Sequence, residues 1–156
     1  METKAIEITE IETPLEETMS LNHSRLTYRL SILLSKYEDT YDIMPELELE
    51  LVTGRSKPDI AIFQNLHFNW EEDIIRYPQP PITAIEILSP TQAFDELTGK
   101  IRKVYFPAGV QSAWIVVPSI QAIHLFLPSQ PVAIFSNGKM TDPVNSIEIA
   151  LAELFK

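Results

Sequence analysis

The sequence predicts a mixed α/β (α+β) domain with a central sheet flanked by helices, in the order α-β-β-β-α-β-β-β-α. Three observations carry this. Leu26, Leu30, Leu33, Leu34 and Tyr37 recur at helical spacing near the start of the chain. Thr83 to Leu88 is a near-continuous apolar run of strand length, as expected of a central strand covered on both faces. Short alternating or apolar runs, separated by Pro- and Gly-containing turns, lie on either side of it.

The first helix starts near Asn22, with Asn22 or Ser24 as its cap. ELELELV, Glu46 to Val52, alternates strictly, so it reads as a strand whose three glutamates form the solvated face. Thr53 to Ser56 is a turn, and Pro58 to Phe63 is a second strand with proline at its start. The polar and aromatic stretch QNLHFNWEEDIIRYPQPP reads as a loop or lid. Asp95 to Phe106 is a helix with Leu97, Ile101, Val104 and Tyr105 on one face, stopped by Pro107 and Gly109. Ala113 to Val117, Ala122 to Leu127 and Val132 to Phe135 are three further strands. Asn137-Gly138 is a turn, and Ile147 to Phe155 reads as a closing helix.

Bulk properties narrow the class. The 156 residues are 45% hydrophobic and 22% charged, which suits one globular domain over residues 21–156 behind an acidic segment, residues 1–20. There is no cysteine, so disulfide frameworks and thiolate metal sites are excluded. The acidic start lacks a signal-peptide layout, and no apolar run approaches the ~18 residues of a membrane span. A cytoplasmic protein is expected. Net charge is -10, and the first twenty residues hold half of it, with one lysine against six glutamates. That balance opposes avid non-specific nucleic-acid binding. Lys100 to Lys103 (KIRK) is the best candidate for a local basic patch.

Glu86 raises the central question. A carboxylate inside the apolar run AIEILSP is expensive unless it is paired, hydrogen-bonded or bound to a cation. Asp59 opens the preceding strand. If the strands are neighbours, the two acids face one cleft about 5 Å apart, and their repulsion is about 3 kcal/mol at an effective dielectric of about 20. Either one is protonated or a cation joins them, and oxygen-only ligands suit Mg²⁺, Mn²⁺ or Ca²⁺. The structural alternatives are a turn role for Asp59 and an arginine partner for Glu86. His67 and His124 show no zinc spacing. Asp95 suits a helix cap better than a ligand. Ser89 lacks the flanking glycines of a nucleophile elbow, and no P-loop or dinucleotide-binding glycine pattern occurs. Trp70 and Trp114 are expected in the core or an interface.

The stretches SKPDIAIF, AIEILSP, DELTGKIRKVYFPAGVQSAWIVV and IALAELF, in that order, resemble the Uma-type endonuclease family. This branch of the PD-(D/E)XK nuclease superfamily has the restriction-endonuclease-like fold and was long catalogued as a domain of unknown function. The resemblance runs from about Asn22 to the C-terminus. It implies a metal-dependent endonuclease that hydrolyses DNA phosphodiester bonds. Asp59 and Glu86 would hold Mg²⁺ (or Mn²⁺). The superfamily's lysine position, two residues after the second acid, is Leu88 here. The resemblance therefore places the catalytic lysine on the next helix, at Lys100, with Lys103 as the fallback. His23 matches a histidine common in the branch and would line the cleft, contact phosphate or cap the helix. DNA is the expected partner and a homodimer is plausible for this fold. The alternative is a nuclease-fold domain that has lost activity and serves as a protein- or nucleic-acid-interaction module.

Overall fold

The computed structural model describes residues 19–156. All but the last two residues of the acidic segment 1–20 lie outside the described residues. Helix α1 (Leu21–Ser35) starts one residue earlier than predicted. Its cap is neither Asn22 nor Ser24: the Ser20 hydroxyl accepts the His23 backbone N–H at 3.2 Å. Leu26, Leu30 and Leu34 are buried as the periodicity required, with Leu33 and Tyr37 packed at the margin.

Five strands follow where three were expected before the next helix: β1 (Asp42–Pro45), β2 (Leu49–Leu51), β3 (Gly54–Ser56), β4 (Ile60–Phe63) and β5 (Thr83–Ile87). The ELELELV strand is shorter than its alternation suggested. Only Leu49–Leu51 is extended, and it pairs with β3 in a separate hairpin. There Leu49 and Leu51 are buried while Glu50 meets Arg55 at 3.5 Å. The strand beside β4 in the main sheet is instead β1, whose half-buried residues give no alternation to read.

The crossover helix also departs from expectation. It runs as α2 (Phe94–Lys100), a π-helical turn (Ile101–Tyr105) and α3 (Phe106–Ala108), ending at Gly109 with φ 111°. Asp95 is not its cap; Glu96 reaches back to the Ala93 N–H at 2.7 Å. Pro107 sits inside this helix rather than stopping it. Proline lacks the N–H that would bond the carbonyl of Lys103, and its ring crowds that carbonyl. The chain answers by widening, and the Phe106 N–H bonds Ile101, five residues back.

After β6 (Ser112–Val117) and a 3₁₀ turn (Pro118–Ile120) come β7 (Ala122–Phe126), β8 (Ala133–Phe135), β9 (Lys139–Thr141), β10 (Glu148–Ala150) and α4 (Leu151–Leu154). The predicted closing helix is thus half strand. Ile147, Ile149 and Leu151 are buried at a spacing of two, which suits pairing with β9.

The main sheet has the order β1-β4-β5-β6-β7-β8, antiparallel throughout except for the parallel pair β5–β6. A parallel pair needs a long crossover, which the α2–α3 segment supplies. Strand alternation divides the core. Ile60, Ile62, Ile85, Ile87, Trp114 and Val116 face α1 and the C-terminal elements. Ala61, Phe63, Ala84, Ile115 and Val117 face Leu97, Ile101 and Tyr105 of the crossover. Glu86 alternates with Ile85 and Ile87, so it falls on the crossover face. No helix among the described residues is long and apolar enough to cross a membrane.

Candidate functional site

The antiparallel register of β4 and β5 pairs Ile60 with Ile85. One step further along both strands, Asp59 stands opposite Glu86, and directly opposed residues have Cβ atoms about 5 Å apart. Asp59 also bridges the strand ends, its Oδ2 accepting the Ile87 N–H at 2.6 Å. Both acids line a cleft of about 230 Å³, together with His23, Glu46, Lys57 and Lys100. Three elements far apart in sequence therefore bring Asp59, Glu86 and Lys100 to one cavity.

Each group has a defined partner. His23, in the first turn of α1, places Nε2 3.0 Å from Asp59 Oδ1. The hydrogen bond to Asp59 raises the His23 pKa above 6.5, helped by the charges of Asp59, Glu46 and Glu86 and opposed by burial. Glu86 is 3% exposed. Its Oε2 accepts the Tyr105 hydroxyl at 2.5 Å and lies 3.4 Å from Lys100 Nζ. The lysine contact is long for a charge-assisted hydrogen bond, so the tyrosine is the stronger partner. Burial pushes the Glu86 pKa from 4.5 up to about 7; Lys100 opposes this, Asp59 adds to it, and the Tyr105 hydrogen bond opposes it. The charge is under-compensated, and a further positive group would hold it ionised.

Two carboxylates are hard oxygen donors suited to Mg²⁺ or Mn²⁺. Among the described residues, no group of three or more His, Cys, Asp or Glu side chains is gathered to hold a metal. The protein's share of a coordination sphere would be these two carboxylates, which is how Mg²⁺ is often held, with water filling the rest. Glu86 Oε1 accepts no hydrogen bond from a described residue, so it is open to a cation beside it. The donor set fits such an ion.

The remaining predicted residues separate clearly. Lys103 is exposed on the outer side of the π turn and is absent from the cleft wall. Leu88 packs at the edge of the crossover-side core, so the position where the sequence resemblance looks first for a lysine is apolar here. Trp114 is buried, whereas Trp70 is 91% exposed on the loop after β4, stacked on Phe68. Three residues of the site escaped sequence reasoning. Glu46 was assigned to a strand face, yet it is a turn residue with φ 53° whose N–H bonds the Asp59 carbonyl. Lys57 lay unremarked beside Pro58. Tyr105 was read only as core, and its hydroxyl also meets Ser56 Oγ at 2.7 Å.

Comparison with known proteins bears on the fold and the family. A crystal structure of "a putative nuclease belonging to DUF820" from Anabaena variabilis ATCC 29413 is similar at TM-score 0.76 and 23% identity, over 87% of this chain and 81% of that one. That likeness shows the fold. No curated protein matches. The family model described as "Uma2: Putative restriction endonuclease" matches residues 5–153. By that match, across nearly its whole length, the chain belongs to the Uma2 family.

Proposed function

We propose that the chain is a metal-dependent endonuclease that hydrolyses phosphodiester bonds of DNA. The observation that carries this reading is the convergence of Asp59, Glu86 and Lys100 on one cleft. Asp59 and Glu86 would hold Mg²⁺ or Mn²⁺. When bound, that cation supplies charge neutralisation at the phosphoryl group and an activated water. His23 holds Asp59 in place through its Nε2 contact. Lys100, 30% exposed at the side chain, carries a cation from the buried carboxylate to the solvent side of the cleft. There it stabilises the negative charge that develops on the phosphate.

The distribution of cations supports a nucleic-acid substrate. Arg55 and Lys57 adjoin the β2–β3 hairpin, and Lys100, Arg102 and Lys103 lie on the crossover. The two segments are tied together where the Thr53 hydroxyl bonds the Val104 carbonyl at 2.6 Å. In a chain of net charge -10, Lys57 and Lys100 place two cations on the wall of the cleft that holds the acids, where they suit a phosphate.

The test is calorimetric Mn²⁺ titration alongside a DNA cleavage assay. Asp59→Ala and Glu86→Ala are expected to abolish saturable metal binding, and unchanged binding in both removes the metal site. Lys100→Ala is expected to lower the cleavage rate by about 100-fold or more, and retained cleavage removes the lysine from the mechanism. A second reading, a non-catalytic interaction module, is favoured by the absence of a third acidic or imidazole ligand among the described residues. No cleavage of single-stranded, double-stranded or branched DNA with Mg²⁺ or Mn²⁺, despite intact folding, would select it.

A further inference from the structure

The π turn has a geometric consequence for the site. Residues of an α-helix advance by about 100° each, so positions five apart, such as Lys100 and Tyr105, would point about 140° away from each other. The i to i+5 bond from Phe106 to Ile101 widens this turn and takes up one extra residue. Lys100 and Tyr105 consequently share a face, and both reach the same oxygen, Glu86 Oε2.

We infer that Tyr105 is a positioning residue that fixes the Glu86 carboxylate, leaving Oε1 as the oxygen turned over to a cation. This rests on the metal-site reading above. The ring of Tyr105 is wholly buried among Leu97, Ile101 and Ala84, so it cannot swing away without opening the core. Its hydroxyl stands between two partners, Ser56 Oγ at 2.7 Å and Glu86 Oε2 at 2.5 Å. With Ser56 donating to the phenol oxygen, the single phenol proton is committed to Glu86. Ser56 belongs to β3, and thus the β2–β3 hairpin, the crossover and β5 are joined through one hydroxyl. Changes in residues that orient metal ligands typically cost about 10- to 100-fold in metal affinity or activity.

Tyr105→Phe keeps the buried ring and removes only the hydroxyl. Calorimetry is expected to show Mn²⁺ affinity lower by about 10-fold or more, with kcat for DNA cleavage reduced and KM for DNA nearly unchanged. Ser56→Ala, which leaves the phenol but frees its orientation, is expected to give a smaller change in the same direction. A purely structural Tyr105 would lower the melting temperature while leaving metal affinity and kcat alone, and that result overturns the proposal. Wild-type protein that binds no Mn²⁺ would overturn the metal-site reading instead. The positioning role would then be decided by the crystal structure of the Tyr105→Phe protein. There Glu86 is expected to leave its 3.4 Å contact with Lys100, and an unmoved carboxylate defeats the role.

Discussion

Two carboxylates are buried among the described residues, and they are held in opposite ways. Asp142, wholly buried, accepts hydrogen bonds from Ser112 Oγ at 2.6 Å, Trp114 Nε1 at 2.8 Å, the Val144 N–H at 2.8 Å and Asn145 Nδ2 at 3.2 Å. Donors reach both of its oxygens. Glu86, almost as deeply buried, has its donors on Oε2 alone and a pKa raised to about 7. Burial by itself therefore does not mark a functional acid. The distribution of donors separates the two: a saturated carboxylate is a clamp, and a half-satisfied one beside a cleft has an oxygen open to another partner.

The sharpest break in this comparison is Asp142→Ala. It strands the Trp114 indole N–H in the core beneath the β5–β6 pair, leaves the side-chain donors of Ser112 and Asn145 with Thr83 alone, and loosens the turn that leads to β10. Urea denaturation is expected to show a loss of about 3 kcal/mol or more, since several hydrogen bonds to a charged group, each worth about 1.5–3 kcal/mol, are removed, with Mn²⁺ affinity unchanged in protein that remains folded. A loss below about 1 kcal/mol would mean that the clamp contributes no more than an ordinary hydrogen bond.

Glu86→Gln should behave in the reverse manner. The folded pKa of Glu86 is raised from 4.5 to about 7. Its contribution to stability is therefore fully present below pH 4.5 and is lost as pH rises through about 7. Near pH 5 the variant and the wild type are expected to have similar stability. Near pH 8 the variant is expected to be the more stable, by up to about 3 kcal/mol, while losing metal binding. His23, whose pKa is raised mainly by its hydrogen bond to Asp59 and in smaller part by the charge of Glu86, titrates in both proteins, so their difference reports Glu86 together with a smaller change at His23. A difference that stays flat between pH 5 and pH 8 would show that Glu86 is not under-compensated.

The same contrast explains what the sequence made legible. Glu86 stood out because it is a carboxylate within a near-continuous apolar run, and Asp59 because it opens the strand before it. The crossover helix followed from the apolar stripe of Leu97 and Ile101, and Lys100 from the family resemblance. Tyr105 did not, because α-helical spacing turns it away from Lys100, and only the widening at Pro107 brings the two together. Glu46 was hidden by an alternation that its own left-handed turn interrupts. Asp142 was hidden because TDPVN reads as a turn, and its donors come from β6, thirty residues earlier. Local periodicity reports which face a residue occupies. It carries no information on how many donors a distant strand will supply.

The finest distinction concerns Lys100, and here the two sites should differ in the kind of effect as well as its size. Ser112 touches Asp142 in a dry core, so Ser112→Ala is expected to cost about 1.5–3 kcal/mol of stability with no effect on metal binding. Lys100 meets Glu86 at 3.4 Å with its side chain 30% exposed, and a contact so long and so close to solvent is screened. Lys100→Met keeps the aliphatic packing and removes the charge. Its effect on stability is expected to stay below about 1 kcal/mol. It also withdraws a cation that favours ionised Glu86, so the carboxyl pKa should rise further above about 7, measurable by carbon-13 NMR of the glutamate carboxyl. A carboxyl titration unmoved by Lys100→Met would show that Tyr105 alone controls Glu86, and would confine Lys100 to the phosphate side of the cleft.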